Sequence, residues 1–206
     1  MEITRTRDVF TFSELSPEAQ EKATELLCAA AWENLDSDMI SEYLAGHFAY
    51  LADGNDCGVM SVKQLADKYR VRIYWSVSYS QSDDARIDGV LSRDYHPNLA
   101  WPDGIHTIRV TARNMGWSSV SNVYTLDADG QSGSETWDSD VIHVAHQFVM
   151  ELCQRLYRAA RSECEWATSK EYVLDAYANH YGLTRRFTAD GDNAPFEFWS
   201  DDEVSA

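Results

Sequence analysis

The hydrophobic pattern of this sequence changes its period twice, and this change limits the folds open to the chain. Apolar residues recur at three-to-four spacing before Tyr69, alternate with polar residues over Val71–Ser80, and return to the longer spacing after Ser139. A period near 3.6 is typical of amphipathic helices, whereas a period of two is typical of half-buried strands. The sequence therefore predicts helices, then a sheet, then helices, which together make an α+β fold.

Start and stop signals predict three helices before the sheet and two after it. Serine or aspartate before a helix caps free backbone N–H groups, and proline is tolerated in the first turn. Ser16 and Pro17 fit these roles at the first start, and Gly182 is placed to stop the last helix. The predicted helices run over Pro17 to about Trp32, Asp36 to Asp53, about Val62 to Tyr69, about Ser139 to Ala167, and Thr168 to about Tyr181.

The middle of the chain predicts an antiparallel β-meander of about four to five strands packed with the N-terminal and C-terminal helices. Asp, Gly, Pro and Asn clusters that suit turns separate its β-branched or alternating segments. Asp129–Ser134 is rich in turn residues and predicts a loop, and Thr184–Thr188 can add a last short strand. The four main predicted strands are Val71–Ser80, Arg86–Leu91, Ile105–Arg113 and Ser118–Leu126.

Length and composition predict one packed domain. The chain has 206 residues, of which 44% are apolar and 12% aromatic, so it can bury a core that an acidic disordered tail cannot. Neither an internal repeat nor a long linker forces a split. We predict a single domain over 1–206, with a helical lobe at about 13–69, a sheet at about 71–126 and C-terminal helices at about 139–181.

The sequence also predicts a soluble, cytoplasmic chain. No apolar run approaches the roughly 18 residues that cross a bilayer. Met1–Phe12 lacks the apolar stretch of a secretory signal. Its four cysteines are scattered without a Cys-x-x-Cys pair, which in a reducing compartment favours free thiols. These are Cys28, Cys57, Cys153 and Cys164.

Negative charge is concentrated in two parts of the sequence. The formal charge is −17, from 17 basic and 34 acidic residues. Asp8–Asp56 contains eleven acids and one base, Lys22, whereas Cys57–Thr125 contains six acids and eight bases. The last nineteen residues, from Thr188, contain six acids and no base. Such a chain repels phosphate backbones and anionic lipid, so we expect it to bind neither nucleic acid nor membrane directly.

The acidic segments are the candidate partner-binding surface. Acidic residues on a surface are usually explained by their contribution to solubility. A net charge of magnitude about 2–8 is enough for the solubility of a small domain, and this chain carries −17. Closely spaced carboxylates on helices resemble the charge density of a nucleic-acid duplex. The candidate residues are Glu14, Glu18, Glu21, Glu25, Glu33, Asp36, Asp38, Glu42, Asp201, Asp202 and Glu203.

Catalytic and metal motifs are weak in this sequence. Gln81, Asp83 and Asp84 in the polar Ser80–Ala85 segment could bind a cation or a small ligand, but a hairpin tip needs such residues in any case. His143 and His146 are spaced for one helix face, without a His-Glu-x-x-His pattern. The sequence also has neither a P-loop nor a nucleophile motif. We therefore expect a protein that is not an enzyme and holds no cofactor and no metal.

Four segments carry distinctive residue patterns: Phe12–Ala23, Tyr74–Gly89, Leu152–Ser169 and Phe187–Gly191. These segments resemble a family of accessory proteins of tailed bacteriophages and prophages that automatic labelling describes as antitoxin-like. In the second segment Ser80, Gln81, Asp83 and Ala85 match the family, whereas Ser82 and Asp84 replace two glycines. The resemblance implies phage origin and an accessory role in the cytoplasm of the infected host, and it supplies no catalytic residue.

Charge and resemblance together favour an inhibitor that acts by binding a host protein with a basic surface. The expected target is a defence complex or a nucleic-acid-processing complex, as for anti-CRISPR proteins and DNA mimics. One alternative is a small-ligand or metal-dependent enzyme centred on the Ser80–Ala85 tip. Another is an antitoxin that neutralises a basic toxin, and self-association as a homodimer stays open.

Overall fold

A computed structural model describes residues 10–54, 60–77, 83–113, 117–126, 132–176 and 187–192. These residues form five α-helices, a short 3-10 helix at Phe12–Glu14 and a five-stranded antiparallel sheet, which confirms the α+β class. The helices are α1 (Pro17–Glu33), α2 (Ser37–Asp53), α3 (Val62–Tyr69), α4 (Ser139–Ala167) and α5 (Lys170–Asp175). The strands are β1 (Val71–Ser76), β2 (Asp84–Ser92), β3 (Ile105–Arg113), β4 (Trp117–Leu126) and β5 (Ser132–Thr136).

Side-chain caps fix where the helices begin. The Ser16 hydroxyl accepts a hydrogen bond from the Ala19 N–H at 3.3 Å, and Pro17 occupies the first turn of α1. Ser61 and Gln64 form a reciprocal capping box at the start of α3. Because these groups satisfy orphan N–H donors locally, the starts of the first three helices agree with the sequence to within one residue.

The sheet is a meander with the order β1-β2-β3-β4-β5, in which every neighbouring pair is antiparallel. This confirms the predicted topology. One expectation is wrong: part of the predicted loop Asp129–Ser134 belongs to β5, which pairs Val123 with Thr136. Its Gly- and Ser-rich sequence carries no alternating signal, since the backbone ladder to β4 rather than an apolar face defines this strand. Residues 129–131 lie outside the described residues.

The chain divides into two compact units. The first comprises Met1–Leu35 with Cys164–Ala206, and the second comprises Asp36–Glu163. The single domain predicted from the sequence stays a prediction.

A small apolar cluster forms the core of the first unit. Ala19, Ala23 and Leu27 of α1 pack with Val173 of α5 and with Phe187. Phe187 also exchanges two 2.9 Å backbone hydrogen bonds with Phe10. Of the strand predicted at 184–188, the described residues therefore show one isolated β-bridge, between Phe187 and Phe10. Residues 184–186 and the predicted helix end near 181 lie outside the described residues.

One face of the sheet and the faces of α2, α3 and α4 supply the buried residues of the second unit. Cross-strand partners such as Ile73 and Ile87 share this face, whereas Tyr74 and Arg86 share the opposite, polar one. Among the described residues, no helix is long and apolar enough to cross a membrane. Fully buried members of the second unit include Ile40, Leu44, Phe48, Leu65, Ile87, Leu91, Ile108 and Leu156.

Candidate partner-binding surfaces

The outward side of α1 is a row of carboxylates. Glu18, Glu21 and Glu25 are exposed and are spaced three and four residues apart, so they are neighbours on one helix face. The opposite side of the same helix is buried through Ala23 and Leu27. Since a helix turns about 100° per residue, burying that side directs the glutamates outward. We call Glu18, Glu21, Glu25 and the exposed Glu33 the α1 acidic face.

The one base of α1 is already paired. The Lys22 ammonium lies 2.9 Å from both carboxylate oxygens of Asp192, and each side chain is about half exposed. An exposed pair of this kind adds little stability, but it neutralises the positive charge beside the glutamates. The α1 acidic face therefore keeps its full negative charge.

Two of the predicted acidic residues have structural roles. The Glu14 carboxylate accepts hydrogen bonds of 2.7 Å from both the N–H and the hydroxyl of Thr11. Asp36 caps α2 by accepting from the N–H groups of Asp38 and Met39 at 2.9 and 3.2 Å. Carboxylates at helix starts are stabilised by the helix dipole, so these two are explained without a partner.

The remaining predicted residues are divided between different parts of the chain. Asp38 is exposed and Glu42 half-buried, and both belong to the second unit, whereas the α1 acidic face belongs to the first. Gln81, Asp201, Asp202 and Glu203 lie outside the described residues.

Asp83 and Asp84 lie at the start of β2. The Asp84 carboxylate lies 3.4 Å from the Arg86 Nε, and both of its oxygens are buried without a hydrogen bond among the described residues. Burial raises the pKa of Asp84, while Arg86 opposes this shift and Asp83 reinforces it. A desolvated carboxylate of this kind can accept a proton or a cation.

The described histidines and cysteines do not assemble into a larger group. Within the described ranges, no three His, Cys, Asp or Glu side chains come together as metal ligands. His143 is exposed, and nearby Asp138 caps α4 through the N–H groups of Asp140 and Val141. Burial raises the pKa of the Cys153 thiol, which keeps it protonated and a poor nucleophile.

A buried polar cluster in the second unit was not predicted from the sequence. The ring of His96 is fully buried, with Nε2 2.9 Å from the Tyr69 carbonyl oxygen and Nδ1 3.0 Å from the Ser92 N–H. The Tyr69 hydroxyl in turn donates to Asp53 at 2.5 Å, and the Lys68 ammonium reaches the same oxygen at 2.8 Å. This network joins α2, α3 and the end of β2, and it explains His96 as a satisfied core residue.

The structure also reveals an open groove along β1. It has a volume of about 500 Å³ and lies between the first turn of α2 and the last residues of β1. The Trp75 indole N–H donates to the Ser41 hydroxyl at 3.0 Å, which ties the strand to the helix. No sequence motif marks this groove, because its two walls are more than thirty residues apart in the chain. Its lining residues are Ser37, Ser41, Ile73–Val77 and Arg86.

Comparison of the chain with models of protein families, with curated proteins and with solved structures gives no match.

Proposed function

We propose that this chain is a phage-encoded acidic accessory protein that binds a host defence complex or nucleic-acid-processing complex and inhibits it, as anti-CRISPR proteins and DNA mimics do. The observation that carries the proposal is the α1 acidic face, an exposed row of glutamates whose only neighbouring base on the helix is paired with Asp192. Phage origin rests on the sequence resemblance alone.

The carboxylates of this face are spaced more widely than the charges of a nucleic-acid duplex, so overall charge also has to contribute to binding. Glu18, Glu21 and Glu25 are separated by three and four residues, or about 4.5–6 Å of helix rise. A nucleic-acid duplex carries about one charge per 1.7 Å along its axis, so one helix face reproduces only part of that density. A protein with a net charge of −17 would still be steered towards a basic channel by long-range attraction.

Charge reversal of the α1 acidic face is expected to abolish partner binding. The triple variant Glu18→Lys, Glu21→Lys, Glu25→Lys leaves the buried side of α1 unchanged and should weaken binding by at least about 100-fold at low salt. The measurement is affinity capture from bacterial lysate near 0.05 M and 0.5 M salt, with duplex DNA added as competitor. Wild-type binding should fall steeply with salt and be displaced by DNA.

A matched control distinguishes the effect of where the charges are reversed from the effect of the change in net charge. Asp67, Asp103 and Glu151 are exposed acids elsewhere in the chain. Reversing these three changes the net charge as much as the α1 triple variant does, and it should leave capture intact. Equal loss in both variants, or wild-type capture that does not respond to salt, would overturn the proposal.

An antitoxin would use the same acidic face, so the captured partner distinguishes it from the leading proposal. A single small basic protein whose toxicity the chain relieves would favour the antitoxin. A nucleic-acid-processing complex displaced by DNA would favour the inhibitor.

The desolvated carboxylate of Asp84 favours a second candidate, a small-ligand or cation site at the Ser80–Ala85 tip. If this site exists, a divalent cation or nucleotide will raise the melting temperature of the wild-type protein, because the ligand binds only the folded state. At ligand concentrations of about 100 times Kd, binding adds about 2.7 kcal/mol of stability. The Asp84→Asn variant should show no such rise, and a thermal-shift screen measures both. An equal rise in the two proteins would place the ligand elsewhere.

A further inference from the structure

The outer edge of β1 presents backbone groups that the described chain does not pair. The Ser118 hydroxyl of β4 bonds both the N–H and the C=O of Ile87, at 2.9 and 3.0 Å, so these groups point away from β1. Ile73 lies opposite Ile87. In an antiparallel ladder, two opposite residues either exchange both hydrogen bonds or neither. Ile73 therefore directs its own N–H and C=O away from β2, towards the edge of the sheet.

The same alternation applies two residues further along β1. Trp75 lies opposite Ala85 and also directs its backbone groups outward, whereas Tyr74 between them faces Arg86 as a hydrogen-bonded pair. Within the described ranges, β1 has no strand on its other side, and no hydrogen bond reaches the backbone of Ile73 or Trp75 from that side. These two residues offer two donors and two acceptors in the register that a further strand requires.

The groove beside this edge has space for an added strand. It has a volume of about 500 Å³ and runs along Ile73–Val77, and Ser37 and Ser41 line its far wall. Edge strands are usually protected by charges, prolines or a covering element. β1 contains no proline, and its one charged residue, Arg72, lies before the groove.

Charge indicates what kind of segment fits. Asp36 and Asp38 flank Ser37 at the end of the groove, and the groove's own Arg86 is ion-paired with Asp84. A second copy of this chain would bring a further net charge of −17, which opposes self-pairing. The local and overall charges both favour a segment with basic side chains.

We propose that the β1 edge binds an extended basic segment of a partner protein, which adds to the sheet as a sixth strand. Main-chain hydrogen bonds to Ile73 and Trp75 would provide affinity, as in other cases of β-strand addition. Alternate side chains of the segment would contact the apolar side chains that line the groove, such as Ile73 and Trp75. A lysine or arginine of the segment would lie near Asp36 and Asp38. This contact is independent of the α1 acidic face.

Synthetic peptides of about nine residues test the proposal, with the full-length protein and fluorescence anisotropy as the readout. The peptides alternate valine or tyrosine with threonine, lysine or glutamate. Lysine peptides should bind at least about tenfold more tightly than their glutamate counterparts at low salt. N-methylation of one alternate set of peptide amides should weaken binding at least about tenfold, and methylation of the other set less than about threefold.

Variants of the protein provide a second test of the proposal. Ile73→Pro removes an outward N–H but no bond of the β1–β2 ladder, so it should weaken peptide binding at least about tenfold while circular dichroism stays unchanged. Ile73→Val keeps the N–H and should bind as the wild type does. Near 0.15 M salt, where distant charges are largely screened, the triple reversal of Glu18, Glu21 and Glu25 should also leave peptide binding intact, which separates this proposal from the proposed function.

Several results would overturn the proposal. These are the absence of any peptide binding below about 1 mM, equal loss from both N-methylation patterns, and undiminished binding by Ile73→Pro. If Ile73→Pro is unfolded, the two N-methylation patterns still decide the question. Sedimentation that shows a dimer lost in Ile73→Pro would assign the edge to a second copy instead.

Discussion

Replacing Gly89 by alanine is expected to lower the free energy of unfolding by about 3–5 kcal/mol. Gly89 lies opposite Val71 in the β1–β2 ladder and has φ of +138°, a backbone conformation that residues with a side chain rarely adopt. A Cβ at this position would lie 2.2 Å from the Arg70 carbonyl oxygen and 2.9 Å from the Val71 Cα. Because both neighbours are backbone atoms, β1 would have to move away from β2. Urea unfolding of the two proteins measures the difference.

Gly104→Ala is the matched control for this prediction. Gly104 has φ of +72°, but no other atom lies within 4 Å of a Cβ built there. It therefore carries the conformational cost of a left-handed residue without a clash, about 1 kcal/mol. If Gly104→Ala and Gly89→Ala proved equally costly, the close approach of β1 to β2 would not be the reason.

Replacing His96 by leucine is expected to cost about 3 kcal/mol at neutral pH and to reduce the acid sensitivity of the fold. Leucine fills much of the space but removes the hydrogen bonds that the ring makes with the Ser92 N–H and the Tyr69 carbonyl oxygen. The ring contacts of His96 with Phe48 and Tyr69, at centroid distances of 5.5 and 6.0 Å, would also be lost. Chemical unfolding at several pH values measures both effects.

The pH dependence follows from the burial of the ring. Burial lowers the pKa of His96 below its usual 6.5, and this outweighs the opposing effects of Ser92, Tyr69 and Asp53. Because the folded state prefers the neutral ring, the stability from this residue is present above about pH 6.5 and is lost as pH falls through and below that value. Nδ1 also lies 3.0 Å from the Ser92 carbonyl oxygen, which can accept from the protonated ring, so the loss of stability comes from burying the charge and not from a missing acceptor.

Other histidines provide the controls for this effect. Burial also lowers the pKa of His47, so the His96→Leu variant should keep a smaller slope of the same sign between about pH 7.5 and 5.5. His143 is exposed, and His143→Leu should change the stability at neutral pH by less than about 0.5 kcal/mol. A slope that His96→Leu leaves unchanged would show that the buried ring does not control acid sensitivity.

Local signals explain why the helices were predictable. Ser16 with Pro17 and Ser61 with Gln64 satisfy N–H groups only a few residues away, so the sequence contains both partners of each cap. The strands β1 to β4 were found for a similar reason, since each has its own alternating or β-branched pattern. By contrast, β5 has no such pattern, and only its pairing with β4 identifies it.

The acidic face was predictable in part. The spacing of Glu18, Glu21 and Glu25 relative to buried Ala23 fixes their side of α1 without further information. The neutralisation of Lys22 could not be foreseen, because Asp192 lies 170 residues away in the chain. The hydrogen bonds that the Glu14 carboxylate accepts from Thr11 were not predicted, since Glu14 could equally have been a free surface charge.

By itself, the sequence determined the periods, caps and charge of this protein, because these depend on residues within one helical turn or one strand. The tertiary structure decided which groups lost contact with water. Burial of His96 beside Tyr69, desolvation of Asp84 beside Arg86, and the outward backbone of Ile73 each depend on elements that meet only after folding. Solvent exclusion and hydrogen-bond direction are properties of the assembled fold, and so these three sites could not be read from local sequence.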